Sequence, residues 1–133
     1  MRHEIAAVAL AASAAVSMPA EAQQPGRLIS AAPIQDAPTG MQAWRVQYWT
    51  SNESGVPLAV TGIVAAPMEA IPSRPRRVIA WTHGAWGVAG KCAPSLSPNF
   101  FSATAAIDAV SRGYVVVAPD YIGLASPTMH PFL

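Results

Sequence analysis

The chain has 133 residues, of which 52% are hydrophobic and 11% are charged, and its formal charge at pH 7 is +1. This composition is typical of a globular protein of at most one domain, and it excludes disorder along the whole chain. The positive charges are few and scattered, apart from Arg74, Arg76 and Arg77, so we do not expect nucleic-acid binding. The length leaves little room for the large sheet that the motifs below predict.

The first 22 residues have the pattern of a secretory signal peptide. Arg2 supplies a positive start, residues 5–16 form an Ala-rich apolar stretch, and Ala20-Glu21-Ala22 matches a small-x-small cleavage site. The apolar stretch is shorter than the roughly 20 residues of a transmembrane anchor. A buried N-terminal helix is the alternative, but it leaves the cleavage pattern unexplained. We therefore predict cleavage after Ala22 and a secreted or periplasmic protein with no transmembrane anchor.

Cys92 is the single cysteine, and it lies too far from the signal peptide to be a lipoprotein acylation site. In an oxidising compartment such a residue suggests a free thiol or a disulfide with a cysteine outside this chain. The alternative is a small apolar residue in the core. The sequence leaves these possibilities open.

A β-hairpin is predicted near the start of the mature chain. Residues 23–40 are rich in Ala, Pro, Gln and Gly without an apolar period, which predicts an extended N-terminal arm and an ordered domain over 41–133. Residues 41–51 alternate apolar and polar side chains, a turn cluster follows at 52–55, and a second strand runs from about Leu58 to Ala66. The two strands predict an antiparallel pair, and the Pro- and Arg-rich residues 67–77 predict a surface connection.

A βαβ unit is predicted next. Val78–Thr82 and Tyr114–Ala118 are short apolar runs, as expected for parallel strands buried on both faces of a sheet. Between them, the pattern from Pro98 or Asn99 to Arg112 suits a helix. A hairpin that leads into a βαβ unit predicts a mixed α/β sheet.

Glycine-rich and polar loops follow both of these strands, at His83–Gly87 and at Asp120–Gly123. In open α/β sheets the chemistry lies at the carboxyl ends of the strands. The glycines at 84, 87 and 90 do not have the G-x-G-x-x-G spacing of a dinucleotide site, and the sequence contains no G-x-x-x-x-G-K-[ST] phosphate loop. A His-Gly turn after a buried strand instead favours backbone N–H groups that stabilise the oxyanion of an acyl-transfer intermediate.

Residues 42–133 contain four ordered blocks, which are Trp81-Thr82-His83-Gly84, Cys92-Ala93-Pro94-Ser95, Arg112 to Tyr121 with Gly123-Leu124, and His130-Pro131 with Leu133. Together these blocks resemble the N-terminal part of secretory lipase-type α/β hydrolases. The resemblance implies an eight-stranded, mostly parallel sheet, hydrolysis of carboxylic esters or lipids, no cofactor, and a triad of Ser on a nucleophile elbow, then Asp, then His. It equates Val78–Thr82 with the third strand and Tyr114–Ala118 with the fourth.

The resemblance also implies an oxyanion loop. Its members are His83, Gly84, Ala85 and Trp86. Ala85, directly after the His-Gly pair, would supply a backbone N–H to the oxyanion, and Trp86 is the neighbouring candidate. We expect His83 to brace the loop rather than to transfer protons, because it has no partner serine in the sequence.

Other residues with reactive side chains are expected to be structural. We expect Asp120, with Tyr121 beside it at the strand end, to orient a loop, although contact with substrate is the alternative. Nothing in the sequence supports Cys92 as a nucleophile. A metal site made of His83, Asp120 and His130 fits no ligand spacing, so no metal is expected.

The sequence departs from the family in one large respect. It contains no G-x-S-x-G, and none of its serines lies in an elbow-like context. We therefore expect an N-terminal fragment, or a truncated product, whose triad lies beyond Leu133 and which is inactive alone. A peptidase of the same fold is an alternative. So is a noncatalytic exported module that binds a partner through an exposed sheet edge, although its apolar strands would need cover on both faces.

Overall fold

A computed structural model describes residues 23–68 and 74–126 of the chain. These residues form a five-stranded mixed sheet with the spatial order β1-β2-β3-β5-β4. The expected signal peptide and the last sequence block, His130-Pro131 with Leu133, lie outside the described residues. The elements are β1 (Leu28–Pro33), β2 (Met41–Ser51), β3 (Pro57–Pro67), β4 (Val78–Ala80), α1 (Ala106–Ser111) and β5 (Val115–Pro119), with single 3₁₀ turns at Gly90–Cys92 and Pro94–Leu96.

The predicted hairpin is confirmed as the antiparallel pair of β2 and β3. Each residue from Met41 to Ser51 pairs with one from Pro67 back to Pro57. At the turn, the side-chain oxygen of Asn52 accepts hydrogen bonds from the backbone of Ser54 at 3.0 Å and of Val56 at 2.9 Å. The turn also places Gly55 at a φ of 76°, in the left-handed region that favours glycine. The turn residues therefore fix the register of the two long strands.

One strand of the sheet, β1, was not predicted from the sequence, because it lies inside the predicted N-terminal arm. It pairs antiparallel with β2, with Ala31 opposite Val46 and Pro33 opposite Trp44. All six residues of β1 are exposed. An edge strand with both faces exposed needs no alternation of apolar side chains, so its pairing rests on backbone hydrogen bonds that leave no sequence pattern. Order therefore begins before Met41.

The predicted βαβ arrangement is confirmed, because β4 and β5 are parallel and α1 lies between them in the chain. The helix is shorter than expected, since residues 98–105 form turns. In and directly before that segment, three polar side chains bond to nearby backbone groups and so compete with helical hydrogen bonds. These bonds join the Ser97 hydroxyl to Asn99 N, the Ser102 hydroxyl to Asn99 O, and the Thr104 hydroxyl to Ala106 N.

The core lies on one face of the sheet, beneath α1. Val116 and Ala118 of β5 point into it. The other core residues are Met41, Ala43, Ile63, Ala65, Phe100, Ala106 and Val110.

The expectation that β4 is buried on both faces is wrong for the described residues. β4 is the edge strand of the sheet, and Val78 is 63% exposed. The face opposite the core carries a groove of about 360 Å³, lined mainly by apolar side chains that include Val46, Val64 and Val117. The second face is open because α1, the crossover helix of the described residues, covers only the face that carries the core.

A close approach of backbones at Gly62 predicts a measurable loss of stability. A Cβ atom added there would lie 2.6 Å from the carbonyl oxygen of Ala118, on the neighbouring strand β5. We expect Gly62→Ala to push β3 and β5 apart and to lower the free energy of unfolding by about 1–3 kcal/mol. Gly90→Ala is the control, because its added Cβ would meet nothing nearer than Ala125 N at 3.8 Å. Equal denaturation midpoints for the two variants would contradict this prediction.

Candidate functional site

The carboxyl ends of β4 and β5 bring the two predicted loops to the same edge of the sheet. Trp81, the first residue after β4, donates its backbone N–H to Val117 O at 2.8 Å. Asp120 follows directly after β5 and donates its backbone N–H to Thr61 O at 2.8 Å. The loop at 83–87 therefore begins beside the strand end that carries Asp120.

His83 is buried, with 5% of its surface exposed, and its ring is held on two sides. The ring stacks on Tyr121 with centroids 3.9 Å apart and planes 20° from parallel. Its Nδ1 lies 2.6 Å from Gly84 O. A carbonyl oxygen can only accept, so Nδ1 donates and carries the hydrogen. Among the described residues, Nε2 has no hydrogen-bond partner.

Tyr121 links the two loops a second time, because its hydroxyl donates to the backbone oxygen of His83 at 2.6 Å. Both the ring and the carbonyl of His83 are thus fixed by the residue that follows Asp120. The arrangement gives the loop after β4 a defined starting point.

The next residues of this loop present backbone N–H groups. Gly84 and Ala85 are exposed and Trp86 is half-buried. Within residues 23–68 and 74–126, the N–H groups of Ala85 and Trp86 donate to no acceptor. The loop then turns at Gly87, where φ is 114° and an added Cβ would lie 2.6 Å from the sulfur of Cys92. The loop can therefore offer two N–H groups to a ligand at this edge.

The carboxylate of Asp120 is 2% exposed and joins three segments of the chain. Its Oδ1 accepts from the backbone N–H of Ser95 at 3.0 Å. Its Oδ2 accepts from the hydroxyls of Ser95 and Thr61, each at 2.5 Å. Hydrogen bonds to a buried charged acceptor are short and strong. They fasten the turn at 94–96 and strand β3 to the end of β5.

Two side chains of β2 extend this network. Arg45 donates from Nε to Ser95 O at 2.6 Å. Burial raises the pKa of the Tyr48 phenol above its usual 10.0, and the negative charge of Asp120 raises it further. We call the edge of the sheet that carries the loops at 83–87 and 120–123 the loop edge. The hairpin therefore contributes to the electrostatics of the loop edge.

Three residues that the sequence predicts for this edge, His83, Asp120 and Tyr121, lie together in the structure. Their partners Arg45, Thr61 and Ser95 are not predicted from the sequence as site residues, and Tyr48 is predicted only as part of a strand. Ser95 belongs to the sequence block Cys92-Ala93-Pro94-Ser95, but the sequence assigns it no role. A hydroxyl beside a proline, as in Pro94-Ser95, was the available signal, but it does not indicate which distant carboxylate the hydroxyl meets.

The remaining reactive side chains lie apart from this network or outside the described residues. Cys92 is a half-buried free thiol against Gly87. His130 lies outside the described residues. In the part of the chain that the structure describes, no group of three His, Cys, Asp or Glu side chains is placed to hold a metal ion. No helix within that part is long and apolar enough to cross a membrane.

The fold and the loop edge define a mixed α/β sheet with polar loops at the carboxyl ends of its parallel strands. No protein-family model matches the chain, and a search of curated proteins finds no match. Solved structures do match. Lipase A of Candida antarctica in its closed state is 23% identical with a TM-score of 0.59, and the match covers 76% of this chain and 26% of the lipase.

Two further solved structures also match this chain. A Legionella pneumophila structure described as a hydrolase is 29% identical with a TM-score of 0.55, over 69% of this chain and 24% of that one. An acetyl xylan esterase from Paenibacillus sp. R4 is 20% identical with a TM-score of 0.50, over 77% of this chain and 28% of the esterase. The chain therefore spans about a quarter of the length of these structures, and it has the fold of the N-terminal part of lipase and hydrolase chains.

Removal of the buried charge tests the role of Asp120 in stability. In Asp120→Asn the side-chain nitrogen is a donor and accepts neither of the hydroxyl hydrogens that Oδ2 accepts, so we expect a loss of about 1–3 kcal/mol in the free energy of unfolding. Asp108→Asn is the control, because Asp108 pairs with Arg112 on the surface of α1, where such a pair contributes about 0–0.5 kcal/mol. Urea denaturation of both variants gives the comparison. Equal losses would show that the network contributes no more than a surface pair.

A second test concerns the raised pKa of the Tyr48 phenol. Because its pKa lies above 10.0 in the folded chain, the unfolded chain loses this proton first, and stability should fall as the pH rises above 10. Asp120→Asn removes the smaller of the two causes, so it should lower the Tyr48 pKa while burial keeps it above 10.0. NMR titration of the ring carbon that bears the hydroxyl measures this pKa. A wild-type value at or below 10.0 would refute the assignment.

Proposed function

We propose that the protein is the N-terminal part of an exported serine hydrolase that cleaves carboxylic esters through an acyl-enzyme. The observation that carries the proposal is the loop after β4, which presents the N–H groups of Ala85 and Trp86 without an acceptor among the described residues. The fold shared with a lipase and an acetyl xylan esterase supports the choice of ester chemistry. The pattern of residues 1–22 supports export, with cleavage after Ala22.

In the proposed mechanism, a serine oxygen from outside the described residues attacks the ester carbonyl carbon. The carbonyl oxygen takes up the electron pair and becomes an oxyanion, which the Ala85 N–H stabilises. Collapse of this intermediate breaks the bond to the alcohol oxygen, and the alcohol leaves with the proton taken from the serine. Water then attacks the acyl carbon through a second oxyanion in the same place, the bond to the serine oxygen breaks, and the acid leaves while the proton lost by water returns to the serine oxygen. His83 positions the loop in each step and moves no proton.

The burial of His83 and its contacts with Tyr121 support the positioning role. A donor stabilises a transition state only when it is held in place beforehand, because reorganisation during the reaction would cost free energy. The Tyr121 hydroxyl, the stacked ring and the Gly84 carbonyl all restrain His83, two residues before the proposed donor. The rigid base of the loop thus supports an oxyanion site rather than a mobile surface turn.

The first experiment determines what the gene encodes after the codon for Leu133. We expect an open frame that contains a G-x-S-x-G, followed by Asp and then His. The complete product should hydrolyse p-nitrophenyl butyrate and should be labelled by a fluorophosphonate at the serine of that motif, and mass spectrometry of the exported protein should find Gln23 as its first residue. A stop codon after Leu133, with no ester turnover, would refute the catalytic proposal and favour a binding module.

The oxyanion donor is tested in the active product by removal of one backbone N–H. Ala85→Pro should lower kcat for p-nitrophenyl butyrate by about 10²–10³-fold with little change in KM, because the donor acts on the transition state. Ala89→Pro is the matched control, since its φ of −80° already suits proline. The melting temperatures of both variants confirm that they fold. An unchanged kcat in Ala85→Pro would exclude this N–H and leave Trp86 as the donor to test.

A further inference from the structure

Four arginines line one pocket on the surface of the sheet. They are Arg74, Arg76, Arg77 and Arg112, and with Gly113 and Tyr114 they enclose about 380 Å³. We call this site the arginine pocket. Its net positive charge contrasts with the formal charge of +1 for the whole chain. Such a concentration of guanidinium groups needs an explanation that the ester chemistry does not provide.

The arginine pocket lies at the opposite end of the parallel strands from the oxyanion loop. Arg77 directly precedes β4 and Tyr114 directly precedes β5. The two strand starts are joined by a hydrogen bond from Val115 N to Arg77 O at 2.9 Å. His83 and Asp120, in contrast, follow the carboxyl ends of the same strands. The arginine pocket is therefore separate from the proposed catalytic site.

The wall of the arginine pocket is built from ordered backbone. Arg76 is half-buried, and its Nη1 donates to Gly113 O at 3.5 Å. Gly113 has a φ of 89° at the turn after α1, and an added Cβ there would lie 4.0 Å from Arg76 Nη1. The segment that carries three of the arginines is thus held against the turn that carries the fourth.

The charges of the arginine pocket are only partly balanced by the protein. Asp108 pairs with Arg112 through Nε at 3.1 Å. Arg74 and Arg77 are exposed, and within residues 23–68 and 74–126 their guanidinium groups have no hydrogen bond or ion pair. Two planar, fork-shaped donor groups thus remain available at one site.

We propose that the arginine pocket binds a phosphate group. A phosphate monoester carries a charge of about −1.5 to −2 and three strong acceptor oxygens, which match two available guanidinium groups. A carboxylate has one charge and two oxygens, so one arginine fork satisfies it. The phosphate group is either free in solution or carried on a lipid headgroup, and the experiment distinguishes these two sources.

The test compares two double variants of the full chain that each remove two positive charges. Arg74→Gln with Arg77→Gln alters the arginine pocket, whereas Arg27→Gln with Lys91→Gln alters positions away from it. The probes are inorganic phosphate, measured by calorimetry against chloride of equal ionic strength, and vesicles that contain phosphatidic acid, whose headgroup is a phosphate monoester, measured by sedimentation against phosphatidylcholine. Melting curves establish that both variants are folded.

We expect at least tenfold weaker binding in the pocket variant and less than twofold change in the control variant. Loss of inorganic phosphate binding identifies a free phosphate group as sufficient. Loss that occurs only with phosphatidic acid vesicles identifies the headgroup as the source. Equal weakening in both variants would reduce the effect to overall charge and overturn the proposal. Binding of neither probe by the wild-type chain would overturn it as well.

Discussion

The arrangement of the loop edge depends on the buried carboxylate of Asp120. A charge with 2% exposure is stable only if donors surround it, and here Ser95 and Thr61 supply three hydrogen bonds. The position of the next residue, Tyr121, follows from that anchor, and Tyr121 in turn holds the ring and the carbonyl of His83. Loss of one donor would leave a buried charge incompletely paired, so the whole chain of contacts is sensitive to a single hydroxyl.

Those parts of the fold that depend on local pattern were predictable from the sequence. Alternation over 41–51 and the turn at Asn52 specify the hairpin, and two apolar runs around a helix specify the parallel pair. The partners of Asp120 were not predictable in this way, because Ser95 and Thr61 lie 25 and 59 residues away from it in the chain. A serine or threonine in a sequence does not indicate which distant residue its hydroxyl contacts. The same limitation hid β1, whose exposed residues have no apolar period.

The expectation that β4 is buried on both faces of the sheet was wrong, because the two faces are covered to different extents. Apolar strands such as β4 and β5 are typical of sheets covered on both sides. In the described residues α1 covers one side, while Val78 is exposed at the edge and Val117 lines an open apolar groove. The apolar composition of these strands thus indicates a sheet covered on both faces, whereas the described residues cover only one face. A self-contained binding module leaves this mismatch unexplained, whereas the proposed hydrolase accounts for it, since the chain spans about a quarter of its structural neighbours.

The parallel strands also separate two kinds of anion chemistry. Uncharged backbone N–H groups follow their carboxyl ends, and arginines precede their amino ends. An oxyanion that forms and disappears within each turnover is suited to fixed dipoles, whereas a stable phosphate group is suited to full positive charges. Six residue steps from Tyr114 to Asp120 along an extended strand measure about 20 Å. This length exceeds the screening distance of about 8 Å at physiological ionic strength. Occupation of the arginine pocket would therefore leave the field at the proposed oxyanion loop almost unchanged, so the two proposed sites are compatible on one small sheet.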